Sequence, residues 1–92
     1  MKKYIIERDL PGVGTLDREQ LQQAAAKSNR ALRELGPDIQ WIESYVTADK
    51  TFCVYLANDP STIQCHAAVS GFPATKITEV TGIIGPSTEA SL

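Results

Sequence analysis

Few residues in this chain can do chemistry, and their spacing excludes several kinds of site. There is one histidine, His66, and two cysteines, Cys53 and Cys65. His66 follows Cys65 within a helix-like stretch, where neighbours point about 100° apart, so the two do not converge on one ion unaided. No CxxC, HxxxH or HExxH spacing occurs, which removes the strong metal signatures. A lone histidine also leaves no Ser-His-Asp set to assemble. Gly12-Val13-Gly14 is a turn signal without a phosphate-loop pattern around it. What remains is carboxylates. Glu7, Glu43 and Glu79 each sit in a strand-like run, where they come within reach across neighbouring strands as acid–base pairs or hard-metal ligands. The blander alternative pairs them with Arg8, Lys50 or Lys76, or turns them to solvent. It makes His66 a partly buried neighbour of Ile63 and Ala67, and Cys53 a small buried hydrophobe.

These residues are positioned by an element order that the chain announces clearly. Residues 41–47 and 51–56 are rich in β-branched and aromatic side chains, and Ala48-Asp49-Lys50 between them reads as a hairpin turn. Residues 3–9 form a first strand, stopped by Pro11-Gly12. Thr15 is the expected cap of a first helix, with Asp17 and Glu19 in its first turn. Leu21, Ala24, Ala25, Ser28, Leu32 and Leu35 recur at helical spacing until Gly36-Pro37 stops them. The hairpin strands span 39–47 and 51–57. Asp59 and Pro60 open a second helix, over 60–70, which Gly71 ends. A last strand covers 77–84, and Gly85-Pro86 ends it.

Strand, helix, strand, strand, helix, strand predicts an α+β, ferredoxin-like fold: a four-stranded antiparallel sheet with both helices on one face. Residues 1–86 make the single domain, and 87–92 form a polar tail, expected to be disordered or docked on a partner.

Alternation along the strands divides the side chains between two faces. Tyr4, Ile6, Ile42, Ser44, Val46, Phe52, Val54, Leu56, Val80 and Ile84 form the apolar set expected beneath the helices. Ile5, Glu7, Asp9, Trp41, Glu43, Tyr45, Cys53, Tyr55, Ile77, Glu79, Thr81 and Ile83 form the other. That second face is too apolar for an ordinary solvated surface and too acidic for a second core. It reads as the face of a homodimer, with Trp41, Tyr45 and Tyr55 as its aromatic cover or as the wall of a ligand pocket.

Composition narrows the function classes. Nine Lys and Arg against eleven Asp and Glu give a net charge of −2, without a basic cluster, so phosphate-driven nucleic-acid binding is not expected. No signal-peptide run follows Met1-Lys2-Lys3, and no stretch approaches a membrane span. Two cysteines do not make a disulfide framework. A cytoplasmic domain with reduced thiols is the expectation. At 92 residues such a chain buries only roughly 60–65% of its unfolded surface, so a second copy would be a ready source of further burial.

Several segments resemble a family of small bacterial proteins, grouped as a domain of unknown function, with a nickel-binding or nickel-responsive branch. They are Glu7-Arg8-Asp9-Leu10-Pro11-Gly12, Trp41-Ile42-Glu43-Ser44-Tyr45-Val46 and Lys50-Thr51-Phe52-Cys53-Val54-Tyr55, then Ile63, His66-Ala67, Gly71-Phe72-Pro73-Ala74 and Ile77-Thr78-Glu79-Val80. The resemblance implies a ferredoxin-like homodimer and nickel, or another divalent transition ion, as ligand. In the family pattern the position of Glu43 is often histidine, so this chain offers a carboxylate where nickel would prefer imidazole. His66 matches the family motif.

The leading expectation is a non-enzymatic, cytoplasmic homodimer that binds a divalent metal through Glu7, Glu43, Cys53, Glu79 and, more distantly, His66. A second class is a dimeric α+β-barrel-type enzyme acting on a small hydrophobic or aromatic molecule, with Glu7 or Glu79 as base. A third is an assembly or regulatory module without a ligand.

Overall fold

The fold is built outward from one strand in which Tyr4, Ile6 and Arg8 all point the same way and are all buried. A computed structural model describes residues 1–91. This first strand, β1 (Lys2–Asp9), is followed by a 3₁₀ turn (Val13–Thr15), helix α1 (Arg18–Leu35), strands β2 (Ile39–Val46) and β3 (Lys50–Ala57), helix α2 (Pro60–Ser70) and strand β4 (Lys76–Val80). The four strands are antiparallel in the order β2-β3-β1-β4, and the architecture is the ferredoxin-like one that the element order predicts.

Local chemistry explains the boundaries. Asp17, not Thr15, caps α1: its carboxylate accepts from the Gln20 backbone N–H at 2.8 Å, and the Asp17 N–H donates back to Gln20 Oε1 at 3.0 Å. This reciprocal capping box satisfies two free N–H groups, which a lone threonine could not. Thr15 instead closes the 3₁₀ turn by donating to the Gly12 carbonyl at 2.7 Å. Asp59 caps α2 ahead of Pro60, and Gly71 ends it at φ 78°, both as the sequence implies.

β4 stops at Val80, not at 84. Its last pairing is Lys3 with Val80, where β1 itself begins, so residues beyond it have no partner strand. Ile83 and Ile84 are consequently exposed. The tail, expected to be disordered or docked on a partner, includes a 3₁₀ helix, Pro86–Ser91; Leu92 lies outside the described residues.

The core lies between sheet and helices and comprises Tyr4, Ile6, Ile39, Cys53, Tyr55, Ala57 and Ile63, with Leu32, Leu35, Trp41, Ala74 and Ile77 packed against it. This corrects the face assignment of three strands. In β3 the inward residues are Thr51, Cys53, Tyr55 and Ala57, because Tyr55 pairs with Tyr4 and Cys53 with Ile6; directly opposed residues share a face. Phe52, Val54 and Leu56 therefore belong to the open face. In β4, Ile77 pairs with Ile6 and Glu79 with Tyr4, which puts Ile77 and Glu79 on the helix side and Val80 on the open side. In β2 a bulge between Trp41 and Glu43 resets the alternation, leaving Trp41 and Ser44 together on the helix side and Glu43 and Tyr45 on the other.

Candidate functional site

Between the sheet and the N-terminal half of α1 lies a cavity of about 490 Å³, within the range typical of small-molecule sites. The buried residues of α1 are Ser28 and Ala31. Earlier in the helix, Leu21, Ala24 and Ala25 roof the cavity. Their small or flexible side chains leave space that a bulkier helix face would fill. Trp41, Val46 and Phe72 form apolar walls. Trp41 reaches its place through the β2 bulge, its indole N–H donating to Ser44 Oγ at 2.9 Å. Its ring stacks on Tyr55 at 6.4 Å between centroids, with the planes 17° apart.

Polar groups enter from the sheet side. Arg8 lines the cavity and is 3% exposed. Its Nη1 donates to the backbone carbonyls of Pro73 at 2.8 Å and Phe72 at 3.3 Å, pinning the loop after α2, while its Cζ lies 5.9 Å from the Tyr55 ring centroid. Among the described residues, ion pairs run from Lys2 to Glu79 and from Lys50 to Glu7 and Asp9. Arg8 takes part in none of them, and its Nη2 has no hydrogen-bond partner among the described residues.

Behind Tyr55, its hydroxyl and Ser28 Oγ are 3.2 Å apart, and Ser28 Oγ is 3.3 Å from His66 Nε2. His66 is fully buried. With its proton assigned to Nε2, it donates to the Ser28 carbonyl at 3.3 Å; Nδ1 then has no partner among the described residues. Burial pushes the His66 pKa below its ordinary value; the Ser28 carbonyl opposes this, and the Arg8 charge adds to it. Burial likewise raises the Tyr55 phenol, against the Ser28 hydrogen bond and the Arg8 charge. His66 thus ties α2 to α1.

The proposed metal residues do not come together. Glu7 pairs with Lys50 at 3.8 Å, and Glu79 with Lys2 at 3.7 Å on the other face. Glu43 accepts a hydrogen bond from the Tyr45 hydroxyl, and the two raise the Tyr45 pKa through that bond and the nearby negative charge. Cys53 is buried on the helix side, 3.5 Å from Thr51 Oγ1, and His66 is enclosed between the helices. Among the described residues no group of three or more His, Cys, Asp or Glu side chains can hold a metal ion. A donor set scattered over both faces does not fit a nickel ion within one chain.

The aromatic trio also divides. Trp41 and Tyr55 line the helix-side cavity, whereas Tyr45, 56% exposed, lies on the open face. There it borders a smaller cleft of about 280 Å³ with Lys3, Ile5, Ile42, Glu43, Val54 and Val80. Sequence reasoning missed Arg8 as a site residue. The signal was its phase: it stands two residues after Ile6 and four after Tyr4, on the inward side of β1.

A family model described as "Nickel responsive protein SCO4226-like" matches residues 4–80. The crystal structure of SCO4226 from Streptomyces coelicolor A3(2) superposes with a TM-score of 0.74 at 14% identity, covering 89% of this chain and 99% of that one. At that identity the likeness concerns the fold. No curated protein matches the chain.

Proposed function

This chain belongs to the SCO4226-like family, whose description names nickel responsiveness, and on that premise we propose that it is a non-enzymatic protein that binds a small, largely apolar molecule. The observation carrying this reading is the cavity of about 490 Å³ beneath α1, walled by Trp41, Val46, Leu21 and Phe72. A volume of this size with apolar walls and a few polar groups is the form that small-molecule sites take. Binding is favoured over catalysis because, among the described residues, no Asp, Glu or His lines the cavity to act as a general base on a bound molecule. Cys53 at its edge has a hydroxyl neighbour, Thr51, and not the base that would activate it.

Nickel is a second reading, favoured by the family description. Since the donors are dispersed within one chain, a site drawn from Glu7, Glu43, Cys53, Glu79 and His66 would have to take groups from more than one copy. The open face, where Glu7 and Glu43 lie, is the surface we propose for pairing two copies, as a cytoplasmic homodimer. Titrations separate the readings. Trp41 is the only tryptophan and lines the cavity, so its emission should shift saturably with 1-octanol or octanamide. An unchanged spectrum and no heat up to millimolar ligand would overturn the cavity reading. Saturable heat with nickel chloride alone, lost in Glu7→Ala/Glu43→Ala, would support the metal reading; no heat would end it.

A further inference from the structure

A guanidinium keeps its charge at any physiological pH, and burying one without an opposite charge is expensive. Arg8 is in that condition. It is 3% exposed and lines the cavity beneath α1, and among the described residues it joins no ion pair and leaves Nη2 without a partner. Its other terminal nitrogen is committed to the Phe72 and Pro73 carbonyls, which fixes the fork in one orientation. Among the described residues no Asp or Glu lines the cavity to neutralise it. The missing component is an anionic oxygen, and a carboxylate is the group whose geometry suits a guanidinium edge.

We propose that the ligand of this cavity is an apolar monocarboxylate, its carboxylate held by Arg8 Nη2 and its hydrocarbon body lying between Trp41 and the underside of α1. This rests on the cavity reading above and adds the charge of the ligand to it. The surroundings favour one anion with an apolar body over a free inorganic anion. Beyond Arg8, the polar side chains lining the cavity are the neutral Ser28, Ser44, Thr51 and Tyr55, too weak a set to strip the water from a phosphate. Apolar surface dominates the rest and contributes in proportion to the area it covers. The Tyr55 hydroxyl, already engaged with Ser28, keeps the wall beside Arg8 polar without adding charge.

The test compares octanoate with octanamide, which match in length and shape but not in charge. Trp41 emission follows both, and the indole N–H resonance gives an independent readout. Wild-type protein should bind octanoate at least about tenfold more tightly than octanamide, a charged hydrogen bond in a buried site being worth that much or more. In Arg8→Met, which keeps an unbranched apolar stem, the preference for octanoate over octanamide should fall to within about twofold. Equal wild-type affinities for the two ligands would overturn the role of Arg8 while leaving the cavity reading intact. Binding of neither would overturn both. The wild-type comparison decides the matter even if Arg8→Met fails to fold. Inorganic phosphate competing with octanoate as well as a second carboxylate does would also overturn the proposal, since the apolar body would then count for nothing.

Discussion

His66 shows how a residue with catalytic or metal-binding potential can be used for stability instead. It is fully buried, donates to the Ser28 carbonyl and leaves Nδ1 without a partner among the described residues. Burial is the main cause of its lowered pKa, so as pH falls the unfolded chain, with an ordinary value near 6.5, takes up its proton first. The stability that neutral His66 contributes is therefore fully present above that value and is lost as pH falls through it toward the lower folded pKa. The slope is about 1.4 kcal/mol per pH unit within that window. Thermal unfolding at about pH 7.5 and about pH 5.5 should show a drop in wild type that His66→Gln largely removes. A flat wild-type profile between those values would show that His66 is not buried in solution. The neighbouring Arg8 charge belongs to the same account, because it works against protonation of the ring.

At the scale of elements, the loop after β1 and the tip of the β2–β3 hairpin form one unit. The Leu10 N–H donates to the Asp49 carbonyl, the Gly12 N–H to Asp49 Oδ1 and the Gly14 N–H to the Ala48 carbonyl. Gly14 is what permits the approach: a Cβ there would lie 2.7 Å from Ala48 Cα and 2.8 Å from the Thr47 carbonyl oxygen. Because both neighbours are backbone, the loop must shift to relieve the contact. Gly14→Ala should cost about 1–3 kcal/mol in denaturant unfolding. Gly82→Ala, with nothing within 4 Å, should cost close to nothing; equal effects would show that the packed turn is not what matters. The sequence marks Gly12-Val13-Gly14 as a turn, but it cannot reveal the hairpin tip packed on it. The strands show the same division. Their existence and order were legible from β-branched runs and stop signals. The faces of β3 were not, since Phe52, Val54 and Leu56 are as apolar as Cys53, Tyr55 and Ala57, and alternation without contrast carries no direction. Only the pairing of Tyr4 with Tyr55 decides it. The β2 bulge is likewise silent in the sequence, yet it is the bulge that delivers Trp41 to the cavity. The site was therefore less legible than the fold, because its key residue, Arg8, is a charged side chain in a buried position that composition would assign to the surface.

For the whole molecule, the division of labour between the two sheet faces leads to a last prediction. The helix-covered face holds the cavity within a single chain. The open face carries Ile5, Ile42 and Tyr45, each more than a third exposed, beside Phe52, Val54 and Val80. Its carboxylates are partly neutralised locally, since Lys50 reaches both Glu7 and Asp9. That leaves an apolar centre with a mixed-charge flank, a surface that a second copy can cover without stranding like charges opposite one another. Tyr45 stands on the edge strand β2 of that face, beside Glu43, so Tyr45→Arg would replace an apolar ring with a hydrated cation where a partner must pack. Sedimentation velocity of wild type should give twice the 10.0 kDa chain mass, and the variant should shift to the monomer. A wild-type monomer, or a variant that sediments as the dimer, would remove the open face as the interface. Octanoate affinity should be unchanged in Tyr45→Arg, because Tyr45 lines the open-face cleft and not the cavity. Loss of both properties together would mean that the cavity takes its shape only in the dimer.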